Sequence, residues 1–130
     1  MIPRFRAWDK EFKEMVRVDA LLLEEEVIKA TYKNGNVVKE DMKHYDLMQS
    51  TGLTDKSGKE IFEGDVLCDE GLEQEEGFVY VVVSYKDGMW ICTQITNDDE
   101  GYGGALNEFS DDYSVIGNIY ENPELLEVEG

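Results

Sequence analysis

The feature that most constrains this chain is a series of short apolar runs, each bounded by residues that favour turns. Runs of about four to eight residues rich in Val, Ile, Tyr and Trp, separated by Gly, Asn and Asp, are typical of β-strands. The longest run, Phe78–Tyr85, suits a central strand, and Asp-Gly at 87–88 predicts a hairpin to Met89–Ile95. Asn-Gly at 34–35 predicts a second hairpin. The pattern therefore predicts a mainly β fold with little helix.

Further strands follow from the same pattern. They are Arg4–Trp8, Met15–Val18, Leu47–Gln49, Lys59–Phe62, Val66–Cys68, Ala105–Phe109 and Ser114–Tyr120. Residues 20–32 contain both Leu-Glu helix formers and β-branched strand formers, and we favour a strand over Glu25–Tyr32. Gly117 is a candidate β-bulge, and Asn122-Pro123 predicts a short final helical turn.

The strand pattern also predicts an architecture. Short strands that must bury one face without leaving long edges favour a small closed barrel. We therefore expect a small SH3-like β-barrel in residues 47–130 and N-terminal β-hairpins in residues 1–46. The two regions are either separate or parts of one compact domain.

Charge is distributed unevenly along the chain. It has 12 basic and 30 acidic residues, a net charge of −18. Residues 1–60 sum to −1 and residues 61–130 to −17. Nucleic-acid backbones and anionic membranes are both bound through Lys and Arg, so the second half is unsuited to either. No apolar run approaches the roughly 18 residues that span a bilayer, and residues 1–10 lack an apolar signal core, so we expect a cytoplasmic protein.

The acidic residues of the second half form groups that a basic partner protein can meet. The candidate partner-binding surface consists of acids in three predicted loops: Glu73, Glu75, Glu76, Asp98, Asp99, Glu100, Asp111 and Asp112. Asp98, Asp99 and Glu100 are also candidate oxygen ligands for a divalent cation, although their spacing lacks the EF-hand pattern. The alternative is that these acids only keep the protein soluble.

The residues that most often carry catalysis are sparse. Cys68 and Cys92 are 24 positions apart, which matches no zinc motif, and both lie in apolar runs, so we expect buried free thiols. His44 is the only histidine, which excludes chemistry that needs a pair. Walker and Rossmann glycine loops are absent. We therefore predict no catalytic residues, no cofactor and no enzymatic activity.

Three stretches, in order and spanning nearly the whole chain, carry a family resemblance. They are RAWD at 6–9 with EMV at 14–16, LMQSTGLTDKSGKEIFEGD at 47–65, and VIGNIYENPELL at 115–126. Together they resemble the YopX-like family of small phage and prophage proteins. The resemblance implies a β-rich fold with an SH3-type barrel and a bacteriophage or prophage origin, and it implies no known activity.

The motif residues themselves are predicted to be structural. Within the motif around residue 61, apolar side chains supply contacts, Gly64 permits an unusual backbone, and Asp65 bonds turn amides. The residues given this role are Trp8, Met48, Gln49, Gly52, Leu53, Gly58, Ile61, Gly64, Asp65, Gly117, Asn118, Tyr120 and Pro123.

These observations predict a non-catalytic, phage- or prophage-encoded protein of the bacterial cytoplasm. Its expected role is that of a protein-binding or regulatory module acting through an acidic surface. One alternative is a nucleic-acid-associated protein that uses the N-terminal bases, which are Arg4, Arg6, Lys10, Lys13 and Arg17. Another is a structural homo-oligomer that assembles through the N-terminal hairpins.

Overall fold

A computed structural model describes residues 4–69, 80–95 and 103–126. These ranges contain eleven strands: β1 (Phe5–Asp9), β2 (Glu14–Leu22), β3 (Val27–Thr31), β4 (Val37–Asp41), β5 (Tyr45–Thr54), β6 (Glu60–Phe62), β7 (Asp65–Cys68), β8 (Tyr80–Lys86), β9 (Met89–Gln94), β10 (Gly103–Ala105) and β11 (Ser114–Asn118). Three short 3-10 helices accompany them: η1 (Met42–His44), η2 (Leu106–Glu108) and η3 (Pro123–Leu126). No helix among the described residues is long and apolar enough to cross a membrane.

The chain divides into two compact units, Met1–Ser50 and Thr51–Gly130. The predicted boundary after residue 46 lies inside β5, which begins in the first unit and ends in the second. In the first unit the strand order is β4-β3-β2-β1-β5, and every neighbouring pair is antiparallel. The last residues of β5 lie in the second unit, where β5 pairs with β6.

The first unit has a core of its own. Ala7, Val16, Ile28, Ala30 and Tyr45 are each at most 5% exposed and form one cluster. Ala7 and Val16 are direct partners across β1 and β2, and the two-residue period puts alternate side chains of each strand on the buried face. The two-residue alternation of β1 and β2 therefore builds this core.

The second unit contains a five-stranded antiparallel sheet in the order β10-β9-β8-β7-β11. Strands β7 to β10 follow one another as neighbours, and after η2 the chain returns to place β11 against β7. All four residues of β7 are buried, and because successive side chains point to opposite faces of the sheet, both faces of this strand are covered. The cluster of buried residues comprises Ile61, Leu67, Val81, Val83, Cys92, Leu106 and Tyr113.

The structure confirms the mainly β prediction and gives two antiparallel sheets. A closed barrel is not found among the described residues, because β10 and β11 stand at opposite ends of the strand order. The closed SH3-like barrel is therefore not confirmed. The candidate bulge near Gly117 is confirmed, since the register between β11 and β7 shifts between Val115 and Gly117.

Two local predictions agree with the structure only in part. The strand favoured within residues 20–32 is present as β3, although it begins at Val27 because residues 23–26 form the turn. The strand predicted over Ala105–Phe109 is wrong beyond its first residue, because β10 ends there and η2 follows. Leu106, only 1% exposed, packs into the core, and this buried side chain turns the chain out of the sheet.

Candidate functional site

Only part of the predicted acidic surface lies within the described residues. Glu73, Glu75, Glu76, Asp98, Asp99 and Glu100 all lie outside them, and so does the candidate cation site that three of these acids compose. Asp111 and Asp112 are exposed in the turn between η2 and β11. The part of the chain that the structure describes holds no group of three or more potential metal ligands.

The division into units sharpens the distribution of charge. The first unit has nine bases and ten acids, a net charge of −1. The second has three bases and 20 acids, a net charge of −17. Nearly the whole negative charge thus belongs to one folding unit, which gives that unit a strongly negative potential.

Asp55 organises the second unit from the turn between β5 and β6. Its Oδ1 accepts the backbone N–H groups of Ser57 (2.8 Å) and Lys59 (2.9 Å), and its Oδ2 accepts that of Val115 in β11 (2.8 Å). Burial by itself raises the pKa of Asp55, but the bonds from Val115, Lys59 and Ser57 outweigh it, so this pKa lies below its ordinary value. One buried carboxylate therefore holds a hairpin turn and a distant strand together.

The glycine and aspartate of the motif at 61–65 are also structural. Gly64 has a φ of 86°, its N–H donates to the Val83 carbonyl (2.9 Å), and its own carbonyl accepts the N–H of Ile119 (2.9 Å). Asp65 is 1% exposed and accepts the N–H of Phe62 (2.8 Å). A left-handed backbone favours glycine here, and the carboxylate satisfies a turn amide.

Asn118 is the centre of the motif at 115–126. Its Oδ1 accepts the N–H groups of Tyr120 (3.0 Å) and Glu121 (2.8 Å), and its own N–H donates to Asn122 Oδ1 (3.1 Å). A Cβ added at Gly117 would collide with the Asn122 side chain. The motif thus encodes a capped strand end that leads into η3.

The remaining motif residues divide by burial. Met48 and Ile61 are buried, Leu53 packs against the core of the second unit, and Trp8 and Tyr120 are half-buried. The exposed members are Gln49, Gly52, Gly58 and Pro123. Two of these exposed members are glycines with positive φ, which indicates a role in backbone shape.

Sequence reasoning missed a buried polar cluster in the first unit. The Tyr32 hydroxyl donates to Asp9 Oδ2 (2.5 Å) and lies 2.7 Å from the Tyr45 hydroxyl. Because the single hydroxyl proton of Tyr32 is used in the hydrogen bond to Asp9, the Tyr45 hydroxyl is the donor to the Tyr32 oxygen. Asp9 Oδ1 also accepts the N–H groups of Glu11 (2.9 Å) and Phe12 (3.1 Å). This cluster joins β1, the end of β3 and the start of β5.

The electrostatics of this cluster follow from burial and from those bonds. Burial raises the pKa of Tyr32, as does the hydrogen bond to Asp9. Burial also raises the pKa of Tyr45. For Asp9, burial alone raises the pKa, but the bonds from Tyr32, Phe12 and Glu11 outweigh it, so the pKa is lowered. The only advance sign was Asp9 directly after an apolar strand, which is also a common turn pattern.

Both cysteines are buried free thiols, as expected. Burial raises the pKa of Cys92 to about 12. A thiol in that environment is protonated at neutral pH and is a poor nucleophile.

One face of the first unit collects basic residues. Strand register puts Arg6 opposite Arg17 and Lys29 opposite Lys39, with Trp8 on the same face as Arg6 because the two are two positions apart. Like charges directly opposite each other in a sheet are destabilising. Asp19 lies beside them and bonds Arg17 Nε at 3.0 Å.

Comparison with known proteins places the chain in a family. Residues 4–127 match the family model described as YopX protein, and the chain therefore belongs to the YopX family. It is similar to protein EF1440 from Enterococcus faecalis, a crystal structure with 32% sequence identity and a TM-score of 0.70. That similarity covers 98% of this chain and 99% of the other. No curated protein matches the chain.

Proposed function

We propose that this protein is a non-catalytic binding module, encoded by a phage or prophage and acting in the bacterial cytoplasm, that meets a basic protein partner through the acidic second unit. The observation that carries the proposal is the separation of charge between a unit of −17 and a unit of −1. Solubility alone needs no such concentration of charge in one unit. A strong field on one unit steers a basic partner and orients the encounter.

The buried polar groups support a role in binding rather than chemistry. Asp55, Asp65 and Asn118 each use their side-chain oxygens to accept backbone N–H groups. Cys92, with its raised pKa, lacks the thiolate that nucleophilic catalysis needs.

The proposal also includes a fold assignment for the second unit. We assign the five-stranded sheet of the second unit to the SH3-like class. Four sequential neighbours, a 3-10 helix before the last strand, and the return of β11 to β7 support the assignment. Binding residues are commonly on loops that a rigid scaffold positions, and Asp111 and Asp112 lie in such a connection.

The test is affinity capture from host lysate with two charge-matched variants of the full chain. The test variant changes five acids of the second unit to amides: Glu73, Glu75, Glu76, Asp111 and Asp112. The control variant changes five exposed acids of the first unit: Glu11, Glu24, Glu25, Glu26 and Glu40. Both variants lose five negative charges, so a difference in capture between them shows that the position of the acids in the fold matters.

We expect one stoichiometric basic partner that the wild type and the control retain, that salt releases, and that the test variant loses. Equal loss from both variants would show that net charge alone attracts the captured protein. Capture that is indifferent to salt and to both variants would contradict an acidic docking surface.

A second candidate function is supported by the basic face of the first unit, where Arg6, Arg17, Lys29 and Lys39 accompany Trp8. Cations beside an aromatic ring suit a single-stranded nucleic acid. Its phosphates pair with the basic side chains, and a nucleobase stacks on the aromatic ring. Fluorescence anisotropy of a labelled oligothymidylate at low salt tests this function.

The variants for this assay remove equal charge. Lys29→Gln/Lys39→Gln alters the sheet face, and Lys13→Gln/Lys43→Gln alters two exposed residues outside the strands. Weaker binding in the first variant only is the expected result. No binding by the wild type at low salt would end this second candidate.

A further inference from the structure

Strand β4 forms an open edge in the first unit. Two backbone bonds, Tyr32 N–H to Asn36 carbonyl and Met42 N–H to Glu26 carbonyl (both 2.8 Å), bracket its pairing with β3, and the register between them does not shift. Because hydrogen bonding alternates along an antiparallel pair, Val38 and Glu40 direct their backbone groups toward β3. Val37, Lys39 and Asp41 therefore direct theirs outward.

Those outward groups are accessible. Val37 is 58% exposed, and Lys39 and Asp41 are also exposed. Across residues 4–69, 80–95 and 103–126, no strand lies beyond β4 in the strand order. An exposed strand edge is a template for pairing with another strand.

The edge strand β11 in the second unit has outer N–H groups that are already hydrogen-bonded. Two N–H groups of β11 are taken by side chains of its own unit: Val115 N–H bonds Asp55, and Asn118 N–H bonds Asn122. Among residues 4–69, 80–95 and 103–126, no side chain accepts an outer N–H group of β4 in this way. The contrast distinguishes a protected edge from an open one.

We propose that β4 pairs antiparallel with β4 of a second copy, so that the protein forms a two-fold symmetric dimer through its first unit. Charge favours this location, because two units of −1 can meet whereas two of −17 repel. The occupant is a second copy because the edge is complementary to itself in one register.

That register is set by charge. It places Lys39 opposite Asp41 of the second copy, and by symmetry Asp41 opposite the other Lys39, so each contact is an opposite-charge pair. In this register the strand residues that pair are Lys39, Glu40 and Asp41, because β4 ends at Asp41 and Met42 begins η1. The backbone groups of Lys39 and Asp41 point outward to this pair, and the Asp41 carbonyl, which as the N-cap of η1 accepts the first bond of that helix, has a second lone pair for it.

The same register makes one unfavourable contact, which sharpens the test. Glu40 of each copy falls opposite Glu40 of the other at the two-fold axis, and like charges in that position repel. Glu40→Gln is therefore expected to strengthen the dimer. If the dimer formed in another register, this substitution would leave its dissociation constant unchanged.

The experiment is a charge swap followed by sedimentation velocity over a range of protein concentrations. Wild-type mass is expected to rise with concentration from 14.9 kDa toward twice that value. Lys39→Glu and Asp41→Lys are each expected to raise the dimer dissociation constant at least about tenfold, since each converts two attractive contacts into two repulsive ones. Mixing the two variants restores attraction at both contacts, so the mixture is expected to form a heterodimer.

Lys13→Glu is the matched control, because it makes the same change of charge in the turn between β1 and β2 and is expected to dimerise as the wild type does. Circular dichroism verifies that each variant is folded. A wild type that stays at 14.9 kDa up to about 1 mM would overturn the proposal. Variants that dimerise like the wild type, or a mixture that stays monomeric, would overturn it equally.

Discussion

Replacing Asp55 by asparagine tests how much of the second unit depends on one carboxylate. The amide offers a single oxygen in place of two, so the turn amides of Ser57 and Lys59 keep an acceptor while the Val115 N–H faces an NH₂ group. The bond that links the β5–β6 turn to β11 is lost. The two bonds that survive lose the strengthening that a charged acceptor gives.

The size of the effect follows from these three bonds. A hydrogen bond to a charged group contributes about 1.5–3 kcal/mol, and each surviving bond to Asp55 weakens by about 1 kcal/mol when its acceptor becomes neutral. Asp55→Asn should therefore lower the free energy of unfolding by roughly 3–5 kcal/mol, a large share of the stability of a small unit.

Urea denaturation followed by tryptophan fluorescence measures this change. The chain has two tryptophans, Trp8 in the first unit and Trp90 in the second, where Trp90 packs against the core. A Trp8→Phe background makes the fluorescence report the second unit alone. Asp87→Asn, at an exposed turn residue with a φ of 52°, is the matched control, because asparagine tolerates that backbone conformation.

The dependence on pH gives an independent check. Because the folded-state pKa of Asp55 is lowered, its stabilisation is complete above the unfolded pKa and is lost as pH falls through the folded value. The wild type should lose stability below about pH 4, and Asp55→Asn should lose less over the same range. A variant within about 0.5 kcal/mol of the wild type, with an unchanged acid profile, would refute the reasoning.

Three further predictions concern other buried groups. Gly117→Ala should destabilise the second unit by about 1–3 kcal/mol in the same urea assay, because the new Cβ displaces the Asn122 side chain that caps β11; an unchanged midpoint would contradict this. Cys92 should react with a thiol reagent at pH 8 about a thousandfold more slowly than a free cysteine, as its pKa of about 12 implies, and should react at the ordinary rate in urea. Tyr32→Phe should cost the first unit about 1–3 kcal/mol and raise the pKa of Asp9, so that acid unfolding begins at higher pH, whereas exposed Tyr85→Phe should change neither.

Much of the fold was predictable because it rests on local patterns. The Asn-Gly and Asp-Gly turns and the apolar run of β8 depend on residues close in the chain. The bulge near Gly117 was predictable because a glycine within a strand pattern often marks one. Strand ends were less predictable. β5 runs over Tyr45–Thr54, well beyond the predicted Leu47–Gln49, because pairing with β1 and β6 extends it.

The site was predictable only at the level of composition. The concentration of acids in the second half is visible in the sequence, and the unit boundary only assigns it to one folded body. The cluster of Asp9, Tyr32 and Tyr45 was not visible, since its members are separated by 23 and 13 positions and touch only after β1, β3 and β5 have assembled.

The sequence by itself determined the mainly β class, the positions of the tight turns, the buried thiols, the charge of each half and the family. These properties depend on side-chain chemistry and on contacts between residues close in the chain. The tertiary structure alone decided the strand order, the partner of Asp55 sixty positions away in β11, and the exposure of the edge at β4. The physical reason is that each of these depends on which strands meet after long segments of chain have closed, and that choice is made by the packing of both cores together with the backbone hydrogen bonds that the whole sheet must satisfy.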